Sequence, residues 1–313
     1  MAHPRPFRFG IQLSSAPSAS HWTELARRAE DLGYSTLHMP DHFGEQLAPF
    51  PALMAAASAT STLRVGSLVL DNDFKHPVVT AKEAATVDLL SDGRLELGIG
   101  AGWMTSYYET SGIPMDPPAV RVERLAEAVE ILKGLFGDDS FTFSGTHYSI
   151  NHLEGHPRPV QQPHPPLIIG GGGKKMLGLA AREADIVGVN PNLRRGQVDA
   201  TTAQEAIATA VDSKIAHVRA AAGDRYDDIE LNCLVFACIV TDDRKTVLEM
   251  MAGPFGLDPA EIGDIPYAWV GSVDEICDQL IAQRERWDMS YLVVQGDEAL
   301  TAAAPIVERL AGT

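Results

Sequence analysis

Three groups of residues in this chain have types and spacings that could do chemistry. Asp41-His42 follows a short apolar run and sets a carboxylate beside an imidazole. Histidine is the side chain best suited to move a proton near neutral pH, and a neighbouring carboxylate can orient it or hold a ligand hydroxyl. The same pair also reads as a turn cap followed by a surface histidine. Gly170-Gly171-Gly172-Gly173 runs into Lys174-Lys175 at the start of a helical pattern. Successive glycines leave backbone N–H groups unhindered at a helix N-terminus, and with two lysines that suits a phosphate. The alternative is a loop whose backbone angles admit only glycine. No Gly-Lys-Ser/Thr follows, so this is not a P-loop. Trp103, Tyr107 and Tyr108 offer rings that could stack on a flat ligand or wall an apolar pocket, or could simply pack a loop on a rim.

Other polar residues carry less. His76-Pro77 reads as a helix cap. His147, His152, His156 and His164 lack metal-ligand spacing, and the chain has no H-E-x-x-H and no C-x-x-C, so no metal is expected. The absence of G-x-S-x-G speaks against a hydrolase of the nucleophile-elbow type.

Strands are predicted over Phe7–Leu13, Thr36–Met39, Leu63–Leu70, Leu95–Ile99, Leu167–Ile169, Asp185–Val189, Ile229–Val240 and Tyr291–Val294. The run LRVGSLVL is apolar without alternation, as in a parallel strand buried on both faces. Helices are predicted over Trp22–Leu32 (capped by Ser20), Pro51–Thr60, Pro77–Leu90, Arg121–Phe136, Lys174–Glu183, Ala203–Ala222, Arg244–Met251, Val273–Arg286 and Asp297–Leu310. Residues 141–150 read as a β-hairpin and 253–270 as an irregular insertion. Eight strands, each followed by a helix, over a chain of 313 residues predict one closed (β/α)8 TIM barrel, residues 1–313 forming a single domain with insertions. The ends of barrel strands face one mouth. Gln12, Asp41-His42, Leu68 to Asn72, Ala101 to Trp103, Gly170 to Lys175 and Asn190 to Asn192 should therefore converge there.

Composition bounds the partners. An apolar content of 45% suffices for one large core. A formal net charge of −17 excludes a nucleic-acid partner and an anionic membrane surface as expectations. Cys233 and Cys238 would stand on opposite faces of one strand, roughly 17 Å apart, too far to bridge. With no signal-like N-terminus and no apolar run near the length of a membrane span, a reduced, cytoplasmic setting is expected.

Four stretches in order carry a resemblance. FRFGIQL, the DHF of Asp41-His42-Phe43, HPVVTAKEAATVDLLSDGRLELGIGAGW from His76 to Trp103, and PPLIIGGGGKKMLGLAAREADIVGVNP from Pro165 to Pro191 together resemble the bacterial luciferase-like flavin and deazaflavin oxidoreductases. Within them the chain looks most similar to the branch using coenzyme F420, a deazaflavin. The resemblance implies a homodimeric barrel acting on a small molecule. It implies a ring cofactor across the mouth with its phosphate at Gly170, Gly171, Gly172, Gly173 and Lys174. It also implies a bulge in strand three, often with a non-prolyl cis peptide, near Leu68-Val69. Asp41 and Gly102 would line the ring, and His42, Trp103 and Tyr108 the substrate. The implied reaction is hydride transfer between F420 and a small organic substrate, by C=C or C=N reduction or alcohol oxidation. The alternatives are an FMN-dependent monooxygenase using oxygen and a barrel that binds the ring without catalysis. Two departures matter. Trp103 stands where deazaflavin-dependent sugar-phosphate dehydrogenases carry a glutamate, which speaks against a sugar phosphate. Three residues on, where many relatives are acidic, this chain has Ser106, with Glu109 as the nearest substitute.

Overall fold

Each barrel strand places alternate residues inside and outside the barrel, and that alternation organises the molecule. The computed structural model describes residues 5–193 and 200–313. Eight parallel strands form a closed ring. They are Arg8–Gln12, Thr36–Met39, Arg64–Ser67 (continued by Leu70–Asp71), Leu95–Gly100, Leu167–Gly171, Ile186–Val189, Glu230–Val235 and Met289–Gln295. Strand one pairs with strands two and eight, and strand three with strand four, which closes the barrel.

Outward residues such as Phe9, Ile11, Leu37, Val65, Leu97, Ile169, Val187 and Leu292 join the large apolar core. The helices Ala19–Asp31, Pro49–Ala59, Pro77–Leu90, Pro118–Phe136, Lys174–Glu183, Ala208–Ala222 and Val273–Trp287 contribute the rest of it. Leu68, Ile168, Ile186, Tyr291 and Val293 form a second, smaller cluster. Beside it lies a polar network: Glu96 accepts from Arg8 at 2.6 Å, from Arg64 at 2.9 Å and from the Tyr291 hydroxyl at 2.9 Å. Glu230 holds the other side of the Arg8 guanidinium at 2.6 Å. Burial alone would raise the Glu96 carboxyl, but Arg8, His38 and Arg64 outweigh it and hold it down to about 2.

Several expectations are corrected. Ser18, rather than Ser20, caps the first helix, its hydroxyl accepting from the His21 N–H. The apolar run of strand seven divides at Phe236. Its first part stays in the barrel, while Ala237–Val240 pairs with Ala268–Gly271 in a separate two-stranded parallel sheet. The Phe236 N–H donates to the Tyr267 carbonyl, drawing the chain off the barrel there. Hydrophobicity does not show which neighbour a strand pairs with, so one run looked like one strand. Cys233 and Cys238 thus lie on different strands, and all three cysteines are free. The insertion at 253–270 is regular in part, holding the helix Pro259–Asp264 and the strand Ala268–Gly271. The helix expected over 203–222 is two, Ala200–Gln204 and Ala208–Ala222. The closing helix breaks into Asp297–Ala302 and Ala304–Leu310. The hairpin forms from Phe141–Ser144 and Ser149–Leu153.

Candidate functional site at the barrel mouth

The mouth is built around an interruption in strand three. Ser67 ends one segment, the peptide Leu68-Val69 is cis and non-prolyl, and Leu70–Asp71 resumes pairing with Ile99 and Gly100 of strand four. Neighbouring strands hold the interruption in place. The Leu68 N–H donates to the Met39 carbonyl at 2.8 Å, and the Leu68 carbonyl accepts from the Gln12 side chain at 2.7 Å. Leu68 is buried and Val69 half-buried.

Asp41 and His42 leave strand two beside it. Asp41 accepts the Asp71 backbone N–H at 3.2 Å, so the turn after strand two is tied to the end of strand three. Burial raises the Asp41 carboxyl above its ordinary value. Burial also lowers the His42 imidazole, which leaves it neutral at physiological pH and able to accept a proton. Two rings flank His42: Trp103 edge-on at 6.3 Å and Tyr107 tilted at 5.3 Å. Phe43, half exposed, stacks on Phe74 at 4.3 Å. The rim beside His42 is thus aromatic, as a ring-binding or apolar pocket requires.

Tyr108 is placed differently from its neighbour. It is buried in the helix Thr105–Ser111, and its hydroxyl lies 2.9 Å from Asp71 Oδ2 and 3.0 Å from Asp73 Oδ2. Gly102 has φ +71°, and a Cβ there would stand 1.9 Å from the Tyr108 hydroxyl and 2.4 Å from Asp71, so only glycine lets the three groups meet. Arg121 donates to the carbonyls of Ala101 and Gly102, fixing the loop after strand four. Glu109 is exposed on the same short helix, and Asp71 and Asp73 are the carboxylates beside the aromatic loop.

Asp71 and Asp73 were not singled out from sequence, although Asp71 lay within a stretch expected at the mouth. Burial pushes Asp71 up to about 6, with the charges of Asp73 and Asp41 adding to it against the Asp73 N–H and the Tyr108 hydroxyl. A carboxyl raised in the folded state is ionised at a cost above its folded value. Its unfavourable contribution therefore grows as pH rises from about 4 to about 6 and persists above. Asp71→Asn keeps the shape of the protonated acid. It is expected to raise the thermal midpoint by a few degrees at pH 8 and leave it unchanged at pH 4, read by calorimetry at both values.

On the other side of the mouth, strand five ends at Gly171 and the helix Lys174–Glu183 starts after Gly173 with no side chain capping its N-terminus. A Cβ on Gly172 would meet backbone atoms of residues 190–192 at 2.4 to 2.5 Å, so this glycine is demanded by the close approach of two loops. Gly170 and Gly173 have space instead, their nearest neighbours being side-chain atoms of Asn190 and Asn192 beyond 3.3 Å. Among the described residues the buried Asn190 side-chain oxygen has no hydrogen-bond partner. Uncapped helix amides, a small-residue loop and an orphaned acceptor fit the phosphate and a polar edge of a ring cofactor. Lys174 and Lys175 are exposed and line a crevice of about 380 Å3 between helices, with Arg182 and His217, so their charge lies on the outer flank of the loop. His76 caps the helix Pro77–Leu90, its Nδ1 accepting from the Val78 N–H. Among the described residues no cluster suits a metal ion, and no helix is long and apolar enough to cross a membrane.

Known proteins are similar to this chain in sequence and in fold. The FMNH2-dependent dimethylsulfone monooxygenase of Pseudomonas putida is 29% identical over 253 residues, covering 76% of this chain and 65% of that protein. The F420-dependent glucose-6-phosphate dehydrogenase of Microbacterium testaceum is 30% identical over 189 residues, 58% of this chain and 55% of that one. The matches thus span between half and two thirds of the length of these two relatives. Among solved structures, the coenzyme F420-dependent tetrahydromethanopterin reductase of Methanopyrus kandleri superposes with a TM-score of 0.78 at 17% identity, covering 98% of this chain and 100% of that one. A long-chain alkane monooxygenase superposes with a TM-score of 0.75 at 14% identity, covering 98% of this chain and 91% of the other. At such identities these structures speak for the barrel fold alone. A profile described as luciferase-like monooxygenase matches residues 5–288, and the chain belongs to that family.

Proposed function

We propose that the protein is a coenzyme F420-dependent oxidoreductase that moves a hydride between the deazaflavin and a small organic substrate, by reduction of a C=C or C=N bond or by alcohol oxidation. The observation that carries this reading is the meeting, at one rim, of an open glycine loop, the strand-three interruption and a neutral histidine among aromatic rings. Gly170, Gly173 and the first amides of the helix Lys174–Glu183 would hold the phosphate, and Asn190 a polar edge of the ring. When bound, the deazaflavin supplies or accepts the hydride. The chain's own part is to position and to handle protons. Leu68 and Val69 back the ring, Trp103 and Tyr107 wall the substrate, and His42 accepts the hydroxyl proton when an alcohol is oxidised. The proposed unit is a homodimer, testable by light scattering.

A second reading is favoured by the relative that uses reduced FMN: an FMN-dependent monooxygenase on the same barrel. Anaerobic assays separate the two. Hydride exchange with F420 that continues without oxygen supports the first, and turnover that needs both reduced FMN and oxygen supports the second. Binding without any turnover would leave the third reading, a ring-binding protein.

The glycine loop makes a prediction of its own. Gly172→Ala forces two backbone segments apart and should weaken cofactor binding on the order of tenfold or more, as overpacking of ~1–3 kcal/mol implies. Equilibrium titration of the variant beside the native protein checks it, and equal affinities would remove the loop from the cofactor site.

A further inference from the structure

Protons can be counted at the Tyr108 hydroxyl. It lies 2.9 Å from Asp71 Oδ2 and 3.0 Å from Asp73 Oδ2, both hydrogen-bond distances. A phenol has one proton to donate, and burial together with the neighbouring carboxylates keeps that proton on Tyr108. Were both carboxyls ionised, one of the two contacts would set oxygen lone pairs against each other with no hydrogen between them. The network with both contacts satisfied therefore holds a second proton, the state populated below about pH 6.

The surroundings decide where it sits. Asp73 is paired with the Arg124 guanidinium at 2.9 Å, and Arg124 is itself anchored by Asp116 at 2.7 Å. That pair makes Asp73 the acceptor of the phenol hydrogen bond. Asp71 has no such cation on it. Its Oδ1 accepts the Asp73 N–H at 2.9 Å, and its backbone N–H goes to Asp41. The other charged and titratable groups near it do not change the assignment. Asp41 adds negative charge. Lys75 is committed to Glu83 at 2.5 Å, and Arg121 is engaged by loop carbonyls, 5.8 Å from the Tyr108 ring centroid. Tyr148 donates no proton to the cluster, its hydroxyl accepting from the Asn72 side chain at 3.3 Å. The order is thus Asp71–H to Tyr108 and Tyr108–H to Asp73, with Arg124 donating to Asp73 from the other side.

We propose that Asp71 carries the transferable proton of the barrel mouth. This rests on the function proposed above. In a reduction, where the bound cofactor would supply the hydride and its two electrons, the Asp71 carboxyl would supply the proton. The O–H bond of Asp71 breaks and leaves a carboxylate. The Tyr108 hydroxyl turns from Asp73 to that carboxylate, Asp73 keeps Arg124, and solvent returns the proton. The gate is one phenol rotation, with no ion moved.

Carboxyl-carbon NMR on cofactor-free protein labelled with 13C-aspartate tests this. One aspartate carboxyl should titrate near pH 6 in the native protein and be missing from Asp71→Asn. Tyr108→Phe, which removes a donor to the ionised form, should move that titration upward, and Asp41→Asn, which removes a like charge, should move it downward. Should Asp71→Asn fail to fold, the opposite shifts in the other two variants identify the group. The proposal is overturned if every aspartate titrates below pH 5, or if the high titration survives in Asp71→Asn. Because no cofactor is present, the result is independent of whether the native protein binds F420, FMN or neither.

Discussion

Replacing Glu96 by glutamine is expected to destabilise the fold by about 3 kcal/mol, the lower end of the cost of breaking a buried ion pair. Glu96 is 1% exposed and accepts from Arg8, Arg64 and the Tyr291 hydroxyl. Losing its charge leaves two guanidinium groups facing a neutral amide. Arg8 keeps Glu230 and Arg64 keeps the Leu95 carbonyl and Gln161, and both side chains retain some contact with water. That compensation is why the lower end applies. The change should appear as a lower urea midpoint with an unchanged slope. The same network sets acid sensitivity. A carboxyl held down to about 2 in the folded state contributes stability that is present above its ordinary value near 4.5 and is lost as pH falls toward 2. His38, which burial lowers to about 4, adds a loss that begins below its ordinary 6.5 and is complete near 4. These two groups weaken the native protein below pH 6.5, Asp71 offsets that loss between about 6 and 4 as its carboxyl takes up a proton, and Glu96→Gln should flatten the part of the curve between about 4.5 and 2. A Glu96→Gln variant as stable as the native protein at pH 7 would mean that the interior network is not what holds the lower barrel.

In alcohol oxidation, where His42 takes the hydroxyl proton, His42→Ala should cost about 10²-fold or more in turnover while cofactor affinity barely changes, the signature of a group that handles a proton rather than one that binds the ring. Its neighbours Trp103 and Tyr107 are rings that cannot take over the role, and Asp41 is engaged by the Asp71 N–H. The measurement is steady-state turnover with a substrate in hand, beside a separate cofactor titration. A drop in affinity alone would move His42 into the cofactor site. Unchanged turnover would remove it from the mechanism and leave Asp71 as the group that exchanges protons.

Much of this architecture was legible in the residues, and the part that was not has a physical explanation. The run LRVGSLVL has no polar alternation, and a strand covered on both faces cannot have it, so its place in the barrel wall followed. The glycine run at 170–173 reads as a loop at a helix start, which it is. Two readings of it were open, and the structure divides them: Gly172 is required by backbone contact, while a Cβ on Gly170 or Gly173 would make only ordinary van der Waals contacts. The Asp71–Tyr108–Asp73 group was hidden because Tyr108 lies 37 and 35 residues away from its partners, and only the pairing of strands three and four brings them together. A signal existed in two aspartates one residue apart directly after a buried strand. Tyr108 looked like part of one aromatic rim with Tyr107, yet adjacent residues on a helix point about 100° apart, and one turned to His42 and the other to the carboxyls. The interior network carried its own signal: Arg8, Glu96 and Glu230 are lone charges in apolar strands, which require partners across the barrel.

The central claim is that the glycine loop and the strand-three interruption hold a deazaflavin at a mouth equipped to move protons. Equilibrium titration of the purified protein with oxidised coenzyme F420 and, separately, with FMN, followed by absorbance or fluorescence, tests it most directly. The account predicts saturable binding of F420 in the micromolar range or tighter, and far weaker binding of FMN. Tight binding of FMN with none of F420 would contradict it and move the chemistry of this barrel to oxygen.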